Sequence, residues 1–298
     1  MSQLRDTDAN IDTHVASNVD TDTDTDEPDP FDYPEVVKAI ERCIEPDSDF
    51  SIMQAARITD EILLDKDEEP KLRNGTSFLL AEHILTIAKK IPYNHPSQIK
   101  LVLYVQCMMQ SQKLGGYVAE NTSDSGESYV NHFRDNWETF WWTIREWFPG
   151  DACSDDEDVN FSAFCARLYG MNVDGWGTDP TYFIYALDYL ECDMRIQGGG
   201  TERAIRSAAL WVLYSGQLGF DAVVKWPRKF SDREAHEIAR RRHQQPSIYD
   251  GPIYGIQRWE FWRRRLLEES VNTGMDEETK RLARMAADMM AAYARNSV

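Results

Sequence analysis

Residues 137–148 read WETFWWTIREWF, in which bulky apolar side chains recur at i, i+3, i+4, i+7 and i+11. The five positions are Trp137, Phe140, Trp141, Ile144 and Phe148. This spacing puts all five side chains on one face of an α-helix, whereas a strand would divide them between two faces. The stretch therefore predicts a helix whose aromatic face is buried against the rest of the chain.

The same helical period continues along most of the chain, and the sequence shows no strand-like alternation. The predicted helices are 34–45, 49–65, 76–91, 96–114, 127–148, 159–170, 179–192, 201–215, 231–243, 253–272 and 276–295. Short connections favour antiparallel packing of neighbouring helices. The sequence thus predicts an all-α fold, a multi-helical globular array of about ten antiparallel-packed helices.

Prolines and glycines indicate where these helices begin and end. Pro34 suits a first helical turn, where the missing N–H of proline leaves no hydrogen bond unmade. Pro70 and the Asn74-Gly75 pair predict a break between the second and third helices. We therefore expect the third helix to begin after Gly75.

The composition divides the chain into an arm and a folded body. Residues 1–30 consist mostly of Asp, Thr and Asn with almost no bulky apolar side chain, so they predict a disordered acidic arm. Residues 31–298 are predicted to form a single all-helical domain. The acidic run at 149–158 marks a predicted subdomain boundary, because it interrupts the helical pattern.

The charge of the chain argues against phosphate-rich partners. The formal net charge is −19, of which residues 1–30 carry −8 and residues 225–298 carry +4, so −15 remains for residues 31–224. A field of that sign repels nucleic acid and anionic membrane, whose affinity for proteins comes mainly from phosphate contacts. We therefore predict neither a nucleic-acid nor a membrane partner.

The cysteines and the N-terminus indicate the compartment. The five cysteines are Cys43, Cys107, Cys153, Cys165 and Cys192. They are odd in number, widely spaced and free of zinc-ligand spacing, so they predict buried free thiols rather than disulfides or a metal site. No apolar signal region is present at the N-terminus. These features predict a soluble, intracellular protein in the cytoplasm, with the nucleus left open.

No arrangement of side chains predicts a reaction. The six histidines lack HExxH or HxH spacing, and the GxSxG, GxGxxG and GxxxxGK[ST] patterns do not occur. Asp155, Asp156 and Asp158 come nearest to a cation site, since clustered carboxylates suit magnesium. A solvated acidic loop before a helix that starts at Val159 explains them better. We therefore predict no metal and no cofactor, and the sequence leans against an enzyme.

Arginines alternate with aromatic residues in the last quarter of the chain, a pattern that can bind nucleic acid. The apolar residues there share one helical face, predicted to be buried: Ile256, Trp259, Trp262 and Leu266. Arg258, Arg264 and Arg265 then fall outside that face. Because the chain upstream is strongly acidic, we expect these arginines to pair with carboxylates of the same fold.

Three segments of the chain have recognisable motifs: Asp158–Leu168 (DVNFSAFCARL), Arg206–Gly216 (RSAALWVLYSG) and Gly251–Trp262 (GPIYGIQRWEFW). In this order they resemble a family of filamentous fungi known only as domain of unknown function 3632. The resemblance covers about residues 75–270 and departs from the family in the long Asp/Thr arm and in Phe161, where leucine is frequent. It implies an intracellular, helical fungal protein and assigns no reaction, cofactor or catalytic residue.

Two functions are compatible with these patterns. The leading prediction is a non-enzymatic protein-interaction or scaffold module, whose exposed grooves receive a partner peptide or a basic protein surface. The alternative is an enzyme or accessory factor of fungal secondary metabolism, which holds a small apolar ligand in an aromatic-lined pocket between helical layers. The candidate pocket residues are Trp176, Tyr182, Tyr185, Arg167, Asp188, Arg206, Trp211 and Trp226.

Overall fold

The computed structural model confirms the all-α prediction for the residues it describes. These are residues 33–63, 70–109, 154–171, 180–192, 201–227 and 248–296. Within them the backbone forms nine α-helices, one 3-10 turn and one π-helical turn. No helix in these ranges is long and apolar enough to cross a membrane.

The helices are numbered in chain order. They are α1 (Pro34–Ile44), α2 (Ile52–Leu63), α3 (Pro70–Lys90), α4 (Pro96–Met109), α5 (Asp155–Gly170), α6 (Pro180–Asp188), α7 (Thr201–Phe220), α8 (Ile256–Ser270) and α9 (Glu277–Arg295). A 3-10 turn at Tyr189–Glu191 follows α6, and a π-helical turn at Asp221–Lys225 follows α7.

Proline begins four of these helices and corrects one predicted boundary. Pro70 is the first residue of α3, and Asn74 and Gly75 lie inside that helix, so the predicted break at these positions is wrong. Proline is favoured at a first helical position because no N–H is needed there. A single glycine costs a helix only about 1 kcal/mol relative to alanine, which a long helix tolerates.

Helix α7 lies at the centre of the second half of the chain and packs against α5, α6, α8 and α9. It runs parallel to α5. Arg203 near the start of α7 pairs with Asp158 near the start of α5, and Gly170 at the end of α5 lies against the carbonyl of Tyr214. A side chain at Gly170 would collide with that carbonyl, so glycine allows the close approach of the two helices.

Helix α9 also runs parallel to α7, because Arg206 binds Asp276 before the start of α9 and Gly216 lies against Tyr293 near its end. The consecutive helices α8 and α9 are antiparallel, as expected: the indole of Trp259 near the start of α8 donates to the carbonyl of Met290 near the end of α9. The N-termini of α5, α7 and α9 therefore meet at one end of the bundle.

The core contains most of the predicted apolar face of α8, and it also contains one arginine of that helix. Trp259, Trp262 and Leu266 are fully buried, as predicted. Ile256 is 45% exposed, so its predicted burial is wrong. Arg258 pairs with carboxylates as predicted, but it does so inside the core, at 2% exposure. Arg258 is stable inside the core because it binds two carboxylates, an arrangement that a hydrophobic pattern does not reveal.

Several predictions fall outside the described residues and stay predictions. These are the acidic arm at 1–30, the helices at 127–148 and 231–243, Cys153 and Trp176. The division of the chain into an arm and one domain is likewise still a prediction. Within the described ranges, Cys43 and Cys165 are buried free thiols, as expected, whereas the free thiol of Cys107 is only half-buried.

Candidate functional site

A small notch lies between α5, α6 and the N-terminal half of α7. Its lining consists of Asp158, Ser162, Ala186, Tyr189, Arg203, Ala204, Ser207 and Trp211. The cavity volume is about 20 Å³, somewhat more than the roughly 10 to 15 Å³ that one water-sized group requires. The notch therefore has room for a single small polar group.

An ion pair forms one wall of the notch. The carboxylate of Asp158 is 6% exposed, and its Oδ2 lies 3.2 Å from Nε of Arg203. Nη1 of the same guanidinium lies 3.5 Å from Asp155 Oδ1. Burial raises the pKa of Asp158, and the positive charge of Arg203 opposes that rise. Two carboxylates thus share one arginine at this wall.

Farther along α7, the notch is lined by two polar groups that have no hydrogen-bond partner among the described residues. Trp211 is 1% exposed, and no described residue accepts a hydrogen bond from its Nε1. The hydroxyl of Ser207, one helical turn earlier on α7, is also buried and unpaired within the described part of the chain. A buried donor that makes no hydrogen bond costs about 1 to 3 kcal/mol, so such groups are rare in folded proteins.

The three carboxylates considered as cation ligands belong to the start of α5. Helix α5 begins at Asp155 rather than at Val159, because Ser154 caps it and forms a reciprocal capping box with Glu157. The predicted loop is thus partly wrong: its last four residues are the first helical turn. Sequence reasoning missed this cap, although the Ser-x-x-Glu spacing at 154–157 signals it.

Arginines of α7 face these carboxylates. Asp155 and Asp158 lie beside Arg203, and Asp156 lies 3.9 Å from Arg206. Among the described residues, no three His, Cys, Asp or Glu side chains gather in a way that would hold a metal ion. The carboxylates also lie where the positive ends of three helix dipoles meet, which is a favourable place for negative charge.

The predicted pocket residue Arg206 belongs to the cap of α9. Its Nη2 lies 2.6 Å from Asp276 Oδ2, and its Nε donates to Thr279 Oγ1 at 2.8 Å. Asp276 also caps α9 by accepting from the backbone N–H of Thr279 at 2.9 Å. Although burial acts in the other direction, these hydrogen bonds from Thr279 and Arg206 hold the pKa of Asp276 well below its usual value.

Arg167 ties α5 to the corner between α3 and α4. Its guanidinium donates to the carbonyl of Tyr93 and to Gln98 Oε1, both at 2.8 Å, and lies 3.7 Å from the ring centre of Tyr214. Asn160 contributes to the same corner, because its amide donates to the carbonyl of Lys89 and its Oδ1 accepts from the N–H of Tyr93. This polar pair within the segment Asp158–Leu168 therefore serves the fold.

Asp188 lies in a buried ionic network at the start of α8. Its Oδ1 accepts from Arg258 Nη2 at 2.7 Å, and Glu191 Oε1 accepts from Arg258 Nε at 2.5 Å. The indole of Trp262 donates to the same oxygen of Glu191 at 2.8 Å. Arg258 also donates to the carbonyl of Ile253, so this network satisfies its charge without any ligand.

The aromatic candidates do not gather around a deep hollow within the described residues. Tyr182 and Tyr185 are half-buried, and Trp226 is 72% exposed. The rings of Tyr169 and Trp211 lie 5.6 Å apart, and those of Phe183 and Trp259 lie 5.9 Å apart. Of the predicted pocket residues, Trp211 lines the notch, and the others that the structure describes lie elsewhere.

Apart from Trp211 and Asp158, which was considered as a cation ligand, sequence reasoning did not identify the residues of the notch. Arg203, Ser207 and Trp211 follow one another at i, i+4 and i+8, so they share a face of α7. Asp158 and Ser162 have the same relation on α5. This polar stripe across two apolar helices is a signal that could have located the site.

The described residues thus form an all-α protein with a packed aromatic core and a small polar notch beside it. A family model described as a protein of unknown function, DUF3632, matches residues 82–266, more than half of the chain. The chain belongs to this family, so the predicted resemblance is confirmed, while its fungal origin stays a prediction. No curated protein and no solved structure matches the chain.

Proposed function

We propose that the protein is a non-enzymatic interaction module that binds a basic protein partner. The observation that carries this proposal is Trp226, a large apolar side chain that is 72% exposed. Tryptophan is enriched among residues that contribute most to the affinity of protein interfaces. The net charge of −19 over the whole chain attracts a positively charged partner at long range, although residues 225–298, which include Trp226, carry +4 themselves.

The Trp226 surface, which we define as Trp226 and Ile256, lies at the C-terminal end of α7. The backbone N–H of Gly255 donates to the carbonyl of Val223 at 2.9 Å, which brings the start of α8 to this end of the bundle. Ile256 is 45% exposed there. The N–H of Trp226 donates to the carbonyl of Asp221 at 2.7 Å, so the backbone that presents the indole is held in place.

The charged residues predicted to line a metabolite pocket give the alternative function less support. Arg167, Asp188 and Arg206 each make hydrogen bonds within the fold. A ligand that needed these groups would have to break bonds that hold helices together. The surface is therefore the better place to look for a function.

A capture experiment with a matched pair of variants tests this proposal. Trp226→Ala removes the exposed indole, whereas Val271→Ala removes a side chain of equal exposure, 72%, at the far end of α8. We expect the wild-type chain to retain a basic protein stoichiometrically at physiological salt and to release it at high salt. Trp226→Ala should weaken that binding by about 2 kcal/mol, roughly 30-fold, while Val271→Ala leaves it unchanged.

Two results would contradict the proposal. One is the absence of any stoichiometric partner in extracts of the cells that express the protein. The other is a partner that both variants retain equally, since its binding would then not involve the Trp226 surface.

A further inference from the structure

We propose that the notch between α5, α6 and α7 is a binding site for a hydroxyl group of a small neutral ligand, such as a polyol. The site lies in the N-terminal half of α7, away from the Trp226 surface at the C-terminal end. It does not depend on the protein-interaction function proposed above.

The first requirement of the notch is a hydrogen-bond acceptor. An indole N–H can only donate, and Trp211 Nε1 is buried with no acceptor among the described residues. The other two indoles of this core have acceptors: Trp259 donates to the carbonyl of Met290, and Trp262 donates to Glu191. Since Trp211 also lines the cavity, the group that enters must bring an oxygen to it.

The second requirement is that the entering group carries no negative charge. Asp158 and Asp155 lie at 3.2 and 3.5 Å from the single guanidinium of Arg203. The side-chain charges nearest the notch therefore have one negative charge in excess, which offsets the positive helix N-termini at this end of the bundle. A carboxylate or phosphate would thus gain too little attraction to repay its desolvation in a site largely removed from water. A neutral oxygen avoids this cost.

A hydroxyl group meets both requirements at once. It can accept a hydrogen bond from Trp211 Nε1 and donate one to the carboxylate of Asp158. That carboxylate pairs with Arg203 through its Oδ2. The hydroxyl of Ser207 can either donate or accept, so it adapts to the orientation of the ligand. A carbonyl oxygen would leave Asp158 without the second donor.

The size and the opening of the notch fit this group. A cavity of about 20 Å³ admits one hydroxyl but not a sugar ring or an aromatic ring. Ala186 and Ala204 keep the space open because their side chains are short. Tyr189 lines the notch and is 37% exposed, so it offers a ring against which the carbon skeleton of the ligand could lie.

Nuclear magnetic resonance of ¹⁵N-labelled full-length protein tests the proposal through the indole N–H signals. Glycerol is the neutral probe and acetate is the anionic probe of similar size. We expect glycerol to shift the Trp211 Nε1–H signal in a saturable way, with a weak, millimolar affinity because so few atoms make contact. The signals of Trp259 and Trp262 serve as internal controls and should stay in place, because their N–H groups are already bonded.

Two variants assign the signal and the site. Trp211→Phe removes the N–H while keeping an aromatic ring in the core, so it identifies the resonance by its loss. Ser207→Ala keeps the fold and removes one hydroxyl of the notch, and it should weaken glycerol binding about fivefold, as expected for one hydrogen bond. Neither variant should alter capture of a partner through the Trp226 surface, so the two proposals can fail separately.

Three outcomes would overturn the inference. If glycerol leaves the Trp211 signal unmoved, the notch accommodates water only. If all indole signals move together, glycerol acts on the solvent and not on this site. If acetate moves the Trp211 signal and glycerol does not, the site prefers anions, and the charges of Asp155 and Asp158 do not exclude them.

Discussion

Two buried indoles of this protein have opposite surroundings. Trp262 donates to Glu191, which also receives Arg258, so each polar group in that network has a partner. Trp211 also lines the notch beside an ion pair, which Asp158 and Arg203 form. Its N–H and the hydroxyl of Ser207 nevertheless have no hydrogen-bond partner within the described residues. Both regions have an arginine, a carboxylate and a tryptophan. They differ in whether every polar group has a hydrogen-bond partner.

The difference indicates which polar groups serve the fold and which remain available. Buried polar atoms in folded proteins nearly always have partners, and exceptions need a specific explanation. Around Trp262 the chain supplies every partner, so the network needs nothing from outside. Around Trp211 the described residues do not supply every partner, and the unpaired groups line a cavity. The notch is therefore the better candidate for a ligand site, although both regions contain one guanidinium and two carboxylates.

The largest effect on stability should come from breaking the hydrogen-bonded network of Arg258, Glu191 and Trp262. Arg258→Met removes a guanidinium that is 2% exposed and leaves Glu191 as a buried charge without its counterion. We expect the free energy of unfolding to fall by about 3 to 5 kcal/mol, as for other buried pairs that lose one member. Urea denaturation measures the change.

Arg263→Met is the matched control on the same helix. Arg263 pairs with Glu260 at 2.7 Å, but both side chains are about a third exposed. Such surface pairs contribute less than about 1 kcal/mol. Equal losses in Arg258→Met and Arg263→Met would show that the buried network is not special.

The next largest effect on stability compares the two indoles directly. Trp262→Phe and Trp211→Phe remove the same atoms from sites that are 0% and 1% exposed, so their packing losses should be similar. Trp262→Phe also deprives Glu191 of a donor, which adds about 1 to 3 kcal/mol. We expect Trp262→Phe to be the more destabilising variant by that amount in urea denaturation. A larger loss in Trp211→Phe would mean that Trp211 Nε1 has an acceptor after all.

A smaller effect on stability depends on pH and comes from Asp276, which caps α9. Asp276→Ala removes the cap and the partner of Arg206, at a cost of about 1 kcal/mol at pH 7. Because the pKa of Asp276 is lowered in the folded state, its contribution is fully present above the ordinary value of 3.8 and is lost as the pH falls through the folded value.

The difference in unfolding free energy between wild type and Asp276→Ala should therefore shrink in acid. Urea denaturation of both proteins from pH 7 to pH 3 measures it. The aspartate of the notch gives the contrast, since burial raises the pKa of Asp158. Its charge therefore opposes stability above the raised pKa, and that penalty lessens as the pH falls toward 3.8. A constant difference for Asp276→Ala would show that the cap does not depend on the charge of Asp276.

The smallest effects distinguish two serines on the same face of α7. The hydroxyl of Ser215 donates to the carbonyl of Trp211 at 2.6 Å, so Ser215→Ala should cost about 1 kcal/mol. Ser207 makes no such bond within the described part of the chain, so Ser207→Ala should change the free energy of unfolding by less than about 0.5 kcal/mol. If Ser207→Ala proves as costly as Ser215→Ala, the hydroxyl of Ser207 is already bonded within the fold.

The sequence predicted those parts of the fold that depend on local spacing. The period of α8 placed Trp259, Trp262 and Leu266 in the core, because burial of a helical face follows from residues three and four positions apart. The acidic charge upstream correctly predicted that Arg258 pairs with carboxylates of the same fold, one of which, Glu191, is 67 residues away in the chain. The burial of that pair was not predicted. A pattern of hydrophobicity cannot show that a distant carboxylate makes an arginine stable inside the core.

The candidate site was harder to predict for the same reason. Trp211 was among the predicted pocket residues as an aromatic side chain, and its ring packs in the core as most tryptophans do. What distinguishes it is the lack of an acceptor for its N–H, which depends on three helices from separate parts of the chain. The resemblance to DUF3632 indicated the fold but assigned no site, and the motif residues Asn160 and Arg167 turn out to hold helices together.

Hydrogen exchange of the indole N–H groups tests most directly whether free hydrogen-bonding capacity is concentrated at the notch. In ¹⁵N-labelled protein without added ligand, we expect Trp259 and Trp262 to exchange only when the whole protein unfolds, because each is buried and bonded to a protein acceptor. Trp211 should exchange much faster, through solvent that enters the notch. Protection of Trp211 equal to that of Trp262 would contradict the account, because it would show that the protein itself satisfies this N–H.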